Sequence, residues 1–257
     1  MSNIDPNENK MLMLDHLTEL RRRLIFCFIG IIVAFGFCYG FSQNIFNFLV
    51  EPLAEVTGND KERRMIFTGL HEGFFTQIKV AFFTSISISL PIILIQVWKF
   101  VAPGLYKNER SAMLPFMIAT PFLFVLGAAM VYYMVIPLAW QFFLSFEISP
   151  GQGALPIEVE PRISEYLSLV MRLMFAFGLS FELPVVLLLL VKSGFVTPEG
   201  LASKRRYAIL ISFIAAAILT PPDVISQVML ATPIILLYEI SIIAVSYTHL
   251  RAHETEA

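Results

Sequence analysis

The chain has 257 residues, of which 57% are hydrophobic and only 15% are charged, and its formal net charge is −2. Long uncharged runs recur along it, and no water-soluble core requires so many of them. The composition therefore excludes a soluble domain and indicates an all-α, polytopic membrane protein. Cys27 and Cys38 lie about 16 Å apart on one predicted helix, so we expect two unbridged thiols and no metal site.

The N-terminal region predicts a surface helix followed by a membrane span. Apolar residues between positions 11 and 24 recur at three- and four-residue spacing, which places them on one helical face. We expect this segment to lie at the membrane interface and to lead into the first span, 24–41. The arginines at positions 21–23 predict a cytoplasmic N-terminus. No cleavable signal is expected, because no short apolar region with a cleavage site precedes the span.

A long loop and a short loop flank the second predicted span, 74–97. The long loop, 43–73, contains turn-forming residues, among them Pro52. The short loop, 96–110, reads QVWKFVAPGLYKNER and has the positive balance expected of a cytoplasmic loop. Its aromatic residues suit the boundary between water and lipid. We therefore expect this loop and the N-terminal segment to form a cytoplasmic docking face.

The second half of the chain predicts four further spans. The segment 113–146 is longer than one crossing requires and contains three prolines, so we expect kinks in the third span, 113–137. The fourth span is predicted over 163–190. Two short apolar segments follow, 207–219 and 224–245, with a tight turn between them. Thirteen helical residues reach only about 20 Å, which is less than a bilayer core.

The distribution of basic residues predicts the orientation of these six spans. Twelve Lys and Arg residues fall in segments on the N-terminal side and four on the other side, while Lys79 and Arg172 fall within spans. Because basic residues accumulate on the cytoplasmic side, we expect both termini there. We predict one membrane domain over 1–246, followed by a tail of doubtful origin, 247–257, to which we assign no function.

Glu182 is the most unusual residue within the predicted spans. It lies about 15 Å from the cytoplasmic end of its helix, and a carboxylate facing lipid there costs about 2.5–3.5 kcal/mol. It must therefore face protein or water, or be protonated, either as a structural acid or as part of a polar functional cavity. Pro184 frees the carbonyl of Ser180, which makes the local backbone polar. Arg172 either pairs with Glu239 or reaches the outer surface.

Two acids, Glu19 and Glu109, lie on neighbouring cytoplasmic segments. Each has an ordinary interpretation, because Glu19 can pair with Arg23 one turn away and Glu109 can favour the start of the third span. Together they could offer two carboxylates to an extended peptide that carries arginine. Guanidinium forms bidentate pairs with carboxylates, and lysine matches that geometry poorly.

Neither a GxxxxGK[ST] phosphate loop nor an HExxH zinc motif is present in the sequence. We therefore expect neither enzyme activity nor a cofactor. A proton-coupled solute transporter with Glu182 as the proton carrier is an alternative, but such proteins often contain internal repeats, and no convincing repeat is present. An intramembrane enzyme is a weaker alternative, because no nucleophile–base or metal-ligand spacing occurs.

Four sequence blocks carry a resemblance to a known family: HLTELR at 16–21, the loop 96–110, FGLSFELP at 177–184 and LTPPDVISQ at 219–227. In order and spacing they resemble the TatC family, the multispanning receptor subunit of the twin-arginine protein translocase. The resemblance implies a six-helix, glove-shaped inner-membrane protein that recognises twin-arginine signal peptides on folded cargo. It also implies assembly with single-span TatA- and TatB-type subunits and with further copies of itself, and transport driven by the proton-motive force.

The resemblance assigns roles to individual residues. The acids that read the arginine pair are matched by Glu19 and Glu109. The surrounding recognition surface is matched by Arg21, Phe100, Pro103, Leu105 and Tyr106. The intramembrane polar site is matched by Glu182 and Gln227, and the external positions by Pro52 and Asp223. Arg172 departs from the small residue expected at its position, and the tail 247–257 departs from the family's usual basic tail.

Overall fold

The computed structural model describes residues 6–58, 64–101, 113–148, 155, 157–192, 195–220 and 224–255. These residues are helical apart from turns, short connecting stretches and two isolated β-bridges. The α-helices are, in chain order, α1 (Pro6–Gly40), α2 (Ser42–Thr57), α3 (Glu72–Val101), α4 (Met113–Met130), α5 (Ile136–Leu144), α6 (Ile163–Ser180), α7 (Leu183–Lys192), α8 (Pro198–Ser203), α9 (Arg205–Leu219) and α10 (Val224–Thr255). The all-α prediction is confirmed.

Five helical segments in the described residues are long and apolar enough to cross a bilayer. They are His16–Gly40, Glu72–Val97, Ile118–Leu144, Ile163–Val191 and Gln227–Ser246. Helix α9 occupies the place of the predicted fifth span, but its 15 residues are only about 22 Å long. Apolar side chains such as Ile32, Val33 and Phe37 are 66–68% exposed on α1, as a surface surrounded by lipid requires.

The predicted N-terminal helix and the predicted first span form one element in the structure. Helix α1 is one continuous helix of 35 residues, Pro6–Gly40. No proline follows Pro6 within it, and the arginines at 21–23 are good helix formers, so the cationic segment continues directly into the apolar segment.

Contacts divide the chain into two compact units. Unit 1 combines Met1–Phe41 with Ala81–Pro121, and unit 2 combines Ser42–Val80 with Phe122–Ala257. In unit 1, α1 runs antiparallel to the later part of α3. The rings of His16 and Phe100 stack with centroids 4.2 Å apart, and Phe35 meets Phe82 edge to face at 6.5 Å. Cys27 and Cys38 are free thiols on α1.

The third span is interrupted by a π-helical turn, Val131–Val135, between α4 and α5. A proline lies at the start of α5, where its missing N–H and fixed φ favour a change of helical pitch. The α-helical pattern of this span is thus interrupted beside Pro137, whereas Pro121 lies inside α4. Tyr132 lies in this turn, only 6% exposed, and its ring stacks on Phe48 of α2 with centroids 4.4 Å apart.

Close helix contact in unit 2 depends on two glycines. A Cβ atom on Gly127 of α4 would lie 2.7 Å from the carbonyl oxygen of Phe177 on α6. A Cβ atom on Gly178 would lie 2.3 Å from the ring of Phe124. Small residues let helix backbones approach closely in a membrane, where lipid offers no hydrophobic drive for association. Packing between α4 and α6 therefore requires glycine at both positions.

The end of unit 2 that contains α2 is here called the α2 end. At this end the carboxylate of Glu72 connects the start of α3 to the start of α6. Glu72 accepts hydrogen bonds from the backbone N–H groups of Thr68 (2.7 Å), Gly69 (3.2 Å) and Ser164 (3.2 Å). Ile66 adds a parallel bridge to Arg162. Because the N-terminus of α6 presents unpaired N–H groups, this acid at the start of α3 satisfies one donor of α6 and two donors of the turn that precedes α3.

The opposite end of unit 2, here called the α8 end, contains the end of α7, α8, the start of α9 and the later part of α10. Arg205 Nε lies 3.0 Å from Glu239 Oε1, and this ion pair joins α9 to α10. The Tyr238 hydroxyl donates to the carbonyl of Leu201 at 3.0 Å. Ile242 and Val245 bury their side chains with Leu201 beneath these polar contacts.

Candidate functional site

The position of Glu19 follows from the stacking of His16 on Phe100. Glu19 lies three residues after His16, so both side chains lie on one face of α1. The stacked rings bring this face to the end of α3, immediately before the loop that carries the remaining predicted recognition residues. The contact links two of the sequence blocks that define the predicted docking face.

The carboxylate of Glu19 is held by an ion pair within α1. Arg23 Nη2 donates to Glu19 Oε1 one helical turn away, as the sequence predicts. The side chain of Glu19 is 37% exposed, and among the described residues no hydrogen bond to Oε2 is found. Arg21 lies on the exposed surface of the same helix. Glu19 therefore presents a carboxylate that Arg23 holds and that is partly exposed at the surface of α1.

Glu182 lies at a break in the fourth span. It is 5% exposed and therefore faces protein rather than lipid. Helix α6 ends at Ser180 and α7 begins at Leu183. Because Pro184 has no N–H, the series of α-helical hydrogen bonds is interrupted here. The N–H of Glu182 donates to the carbonyl of Leu179, three residues back, at 3.0 Å. The N–H of Val186 again donates to a carbonyl four residues back, that of Glu182.

Arg172 does not pair with Glu239, which was one of its two expected alternatives. Glu239 is bound by Arg205 instead, and Arg172 is exposed on α6. The pairing follows from the short α9, whose first residues lie beside the later turns of α10. The second alternative, that Arg172 reaches the outer surface of the membrane, stays a prediction.

Pro52 lies inside α2 and is buried. A proline removes the hydrogen bond to the carbonyl four residues back, which here belongs to Phe48. The hydroxyl of Tyr132 donates to that carbonyl at 2.8 Å, and the hydroxyl of Tyr166 donates to the carbonyl of Leu49 at 2.8 Å. Tyrosines from the third and fourth spans thus bind the backbone of α2 where Pro52 interrupts its pattern.

Gln227 joins the two helices of the last hairpin. Its side-chain amide donates to the carbonyl of Phe213 on α9 at 3.1 Å. On the other side of the turn, Thr220 caps the end of α9 through its backbone N–H and its hydroxyl, which bond the carbonyl of Ala216 at 2.9 and 2.8 Å. Gln227 therefore fixes the register of the short α9 against α10.

Several predicted site residues lie outside the described residues: Glu109, Pro103, Leu105, Tyr106 and Asp223. The structure adds residues that the sequence argument missed. No local motif predicts the partners of His16 and Tyr132, because those partners are distant in sequence. The only sequence signal was Pro52 itself, since a proline within a helix implies a freed carbonyl.

The fold and these sites define the class of the protein: a helical, multispanning membrane protein whose polar residues are concentrated at helix ends and breaks. Comparison with known proteins identifies the family. The profile of the family described as Sec-independent protein translocase protein (TatC) matches residues 15–233. The chain belongs to this family.

Relatives of known family and structure agree with this assignment. The chain is 53% identical over 235 residues to the TatC protein of Magnetococcus marinus, covering 91% of this chain and 84% of the relative. It is 46% identical over 233 residues to the TatC protein of Rickettsia prowazekii, covering 91% and 92%. A crystal structure described as twin arginine translocase receptor TatC, in DDM, aligns with a TM-score of 0.78 at 39% identity, covering 89% of this chain and 98% of that chain.

These findings establish what the protein is at the level of the family. It is an inner-membrane component of the twin-arginine translocase, which transports proteins, and it is not an enzyme. The alternatives of a small-solute transporter and an intramembrane enzyme are excluded by this membership.

Proposed function

We propose that this chain is the receptor subunit that binds the twin-arginine signal peptide of folded cargo, with Glu19 and Glu109 as the acids that select arginine. The single observation that carries the proposal is the stacking of His16 on Phe100, with ring centroids 4.2 Å apart. It supports a shared docking face, because it brings the face of α1 that carries Glu19 to the end of α3, from which the loop with Glu109 continues.

The selection of arginine follows from the geometry of the donors and acceptors. A guanidinium group presents a planar fork that matches a carboxylate with two parallel hydrogen bonds, whereas an ammonium group is a compact point charge. Arg23 already holds one oxygen of Glu19. A fixed carboxylate loses little side-chain entropy when a second guanidinium approaches its other oxygen. Two such acids at one face would favour two consecutive arginines over two lysines.

The remaining proposed residues have supporting roles around the acids. Phe100 stacks on the ring of His16 and thereby links α1 to the end of α3. Arg21 is exposed on the same helix, two residues after Glu19, and belongs to the proposed recognition surface. Pro103, Leu105 and Tyr106 complete the surface from the loop.

Our proposal for the whole molecule has six spans, with both termini in the cytoplasm and a glove-like shape. The twelve-to-four distribution of basic residues supports this orientation. Helix α9 would be the fifth crossing in chain order, in addition to the five longer segments, and its length of about 22 Å requires a thinned bilayer or shielding by partner helices. The proposed partners are TatA- and TatB-type single-span subunits and further copies of this chain, in transport driven by the proton-motive force.

Peptide affinity tests the proposal. Full-length protein in lipid nanodiscs is titrated with a fluorescent signal peptide that carries Arg–Arg or Lys–Lys. We expect Glu19→Gln and Glu109→Gln each to weaken Arg–Arg binding by roughly 5- to 150-fold, the effect of one lost charge-assisted hydrogen bond, with the exposed Glu19 near the lower limit.

Glu55→Gln is the matched control, because Glu55 is an exposed acid on α2 with no proposed role in recognition. It should leave the affinity unchanged. The proposal fails if both single variants and the double variant bind the Arg–Arg peptide as tightly as the native protein.

A further inference from the structure

An apolar groove of about 490 Å³ lies near the α8 end of unit 2, between the α6–α7 span, α9 and α10. Its walls are formed mainly by aliphatic side chains, among them Leu183, Leu187, Ile211 and Ile234. One charged residue, Lys204, lies at its rim, where α9 begins. The groove therefore combines a long hydrocarbon surface with a cation at one end.

Three of the polar side chains that line the groove have hydrogen-bond partners in the protein. The Ser180 hydroxyl donates to the carbonyl of Ala176 at 2.8 Å, and the Ser212 hydroxyl donates to the carbonyl of Ala208 at 2.8 Å. The Tyr238 hydroxyl is bound to Leu201. Since these groups need no further partner, the interior of the groove suits a purely hydrocarbon occupant.

The size of the groove favours a flexible chain over a helix. A helix with side chains is about 10–12 Å wide, so one turn alone occupies about 420–610 Å³, nearly the whole volume. Along α9, from Lys204 to Ala215, the groove is about 16 Å long, close to half of a hydrocarbon core of about 30 Å. An acyl chain from one leaflet has the matching length and a much smaller width.

The charge at the rim indicates the headgroup. Arg205 is occupied by Glu239, and Arg206 lies over the ring of Tyr207 at 5.2 Å. Lys204 is exposed, and no acid among the described residues lies within ion-pair distance of it. A free lysine at the end of a hydrocarbon groove complements an anionic headgroup at the membrane surface.

We propose that this groove binds one acyl chain of an anionic phospholipid, whose phosphate headgroup pairs with Lys204. The occupant would fill the space beside the short α9 and shield that helix where it does not span the bilayer. The site is independent of the proposed peptide-binding face, which lies in unit 1.

Photocrosslinking tests the proposal with the full-length protein in vesicles of phosphatidylglycerol and phosphatidylcholine. A photoreactive residue replaces Ile211 in the groove or Ile218, which is 72% exposed on the same helix and does not line the groove. Each lipid is supplied in turn with a clickable tag. We expect the probe at 211 to capture phosphatidylglycerol in clear preference to phosphatidylcholine, and the probe at 218 to capture both in proportion to their abundance.

Two substitutions separate the headgroup from the chain. Lys204→Gln should reduce the preference for phosphatidylglycerol about fivefold, which is the effect of one lysine near an anionic surface. Lys79→Gln is the control, because Lys79 is exposed and lies outside the groove, and it should leave the preference unchanged. Ala208→Phe, which fills the groove, should abolish capture at 211, whereas Ala217→Phe on the exposed side of α9 should not.

The proposal is overturned if the probe at 211 captures both lipids equally, or if it captures a protein segment instead of lipid. The position-211 probe in the otherwise native chain decides the matter even where Ala208→Phe fails to fold. Loss of signal-peptide binding in the separate affinity experiment would not affect this result, because the two sites share no residue.

Discussion

Tyr132→Phe isolates one hydroxyl that holds the interrupted helix α2. In the native protein this hydroxyl lies 2.8 Å from the carbonyl oxygen of Phe48 and 3.2 Å from Glu51 Oε2. Pro52 cannot supply the N–H that would otherwise bond the Phe48 carbonyl. Removing the hydroxyl leaves a buried acceptor without its donor, which costs about 1–3 kcal/mol. The ring of Tyr132 remains stacked on Phe48, so the loss is confined to the hydrogen bond.

The free energy of unfolding, measured by reversible titration with SDS in mixed micelles, should fall by that amount. Tyr133→Phe is the matched control, because Tyr133 is the adjacent residue and is 73% exposed. We expect it to change the free energy by less than about 0.5 kcal/mol.

A double-mutant cycle with Pro52→Ala tests the cause. Alanine restores a backbone N–H that can bond the Phe48 carbonyl, so Tyr132→Phe should cost less in the Pro52→Ala background, with a coupling of about 0.5–3 kcal/mol. Equal effects of Tyr132→Phe and Tyr133→Phe, or strict additivity with Pro52→Ala, would refute this explanation of the buried proline.

Three further predictions concern the other parts of unit 2. Gly127→Ala should lower the melting temperature in detergent by several degrees, because the added Cβ lies 2.7 Å from a backbone carbonyl that cannot move aside; unchanged stability would contradict the close approach of α4 and α6. Glu182→Gln should leave signal-peptide affinity unchanged but impair transport of a folded cargo into inverted vesicles. A loss of initial peptide binding would contradict a role for Glu182 in a step after docking. Gln227→Leu should increase hydrogen exchange at the end of α9, because it removes the bond to Phe213, and unaltered protection of those amides would count against it.

The sequence predicted the features that depend on local chemistry. Uninterrupted apolar runs fixed the class, because the bilayer requires about 20 such residues for each span. The cost of a carboxylate in lipid predicted that Glu182 faces protein or water or is protonated, and the structure buries it in protein. The missing N–H of Pro184 accounts for the break beside it. Spacing by one helical turn predicted the pair between Glu19 and Arg23.

Contacts between residues far apart in the chain could not be predicted in the same way. Tyr132 lies 84 residues from Phe48, and its direction is set by a π-helical turn whose position depends on packing. Glu72 joins the starts of two helices through Ser164, 92 residues away. The choice of Arg205 as the partner of Glu239 also depends on how α9 lies against α10. Each of these requires the tertiary fold first.

One property of the short helix α9 can be predicted from the sequence, and another depends on the tertiary fold. Its length follows from the apolar run between the basic residues at 204–206 and the prolines at 221–222. Its anchoring does not, since Arg205 at its start pairs with Glu239 of α10 and Gln227 of α10 binds the carbonyl of Phe213 in its middle. A helix too short for the bilayer is thus held by two polar contacts with α10.

Crosslinking from two positions to one signal peptide tests the central proposal most directly. Photoreactive residues replace Leu20, next to Glu19, or Glu109, in the full-length protein, and the same tagged peptide is offered with Arg–Arg or Lys–Lys. We expect both positions to capture residues adjoining the arginine pair. We expect the Lys–Lys peptide to be captured far less at Leu20, where Glu19 is retained. Capture at only one of the two positions, or equal capture of both peptides at Leu20, would contradict the proposal.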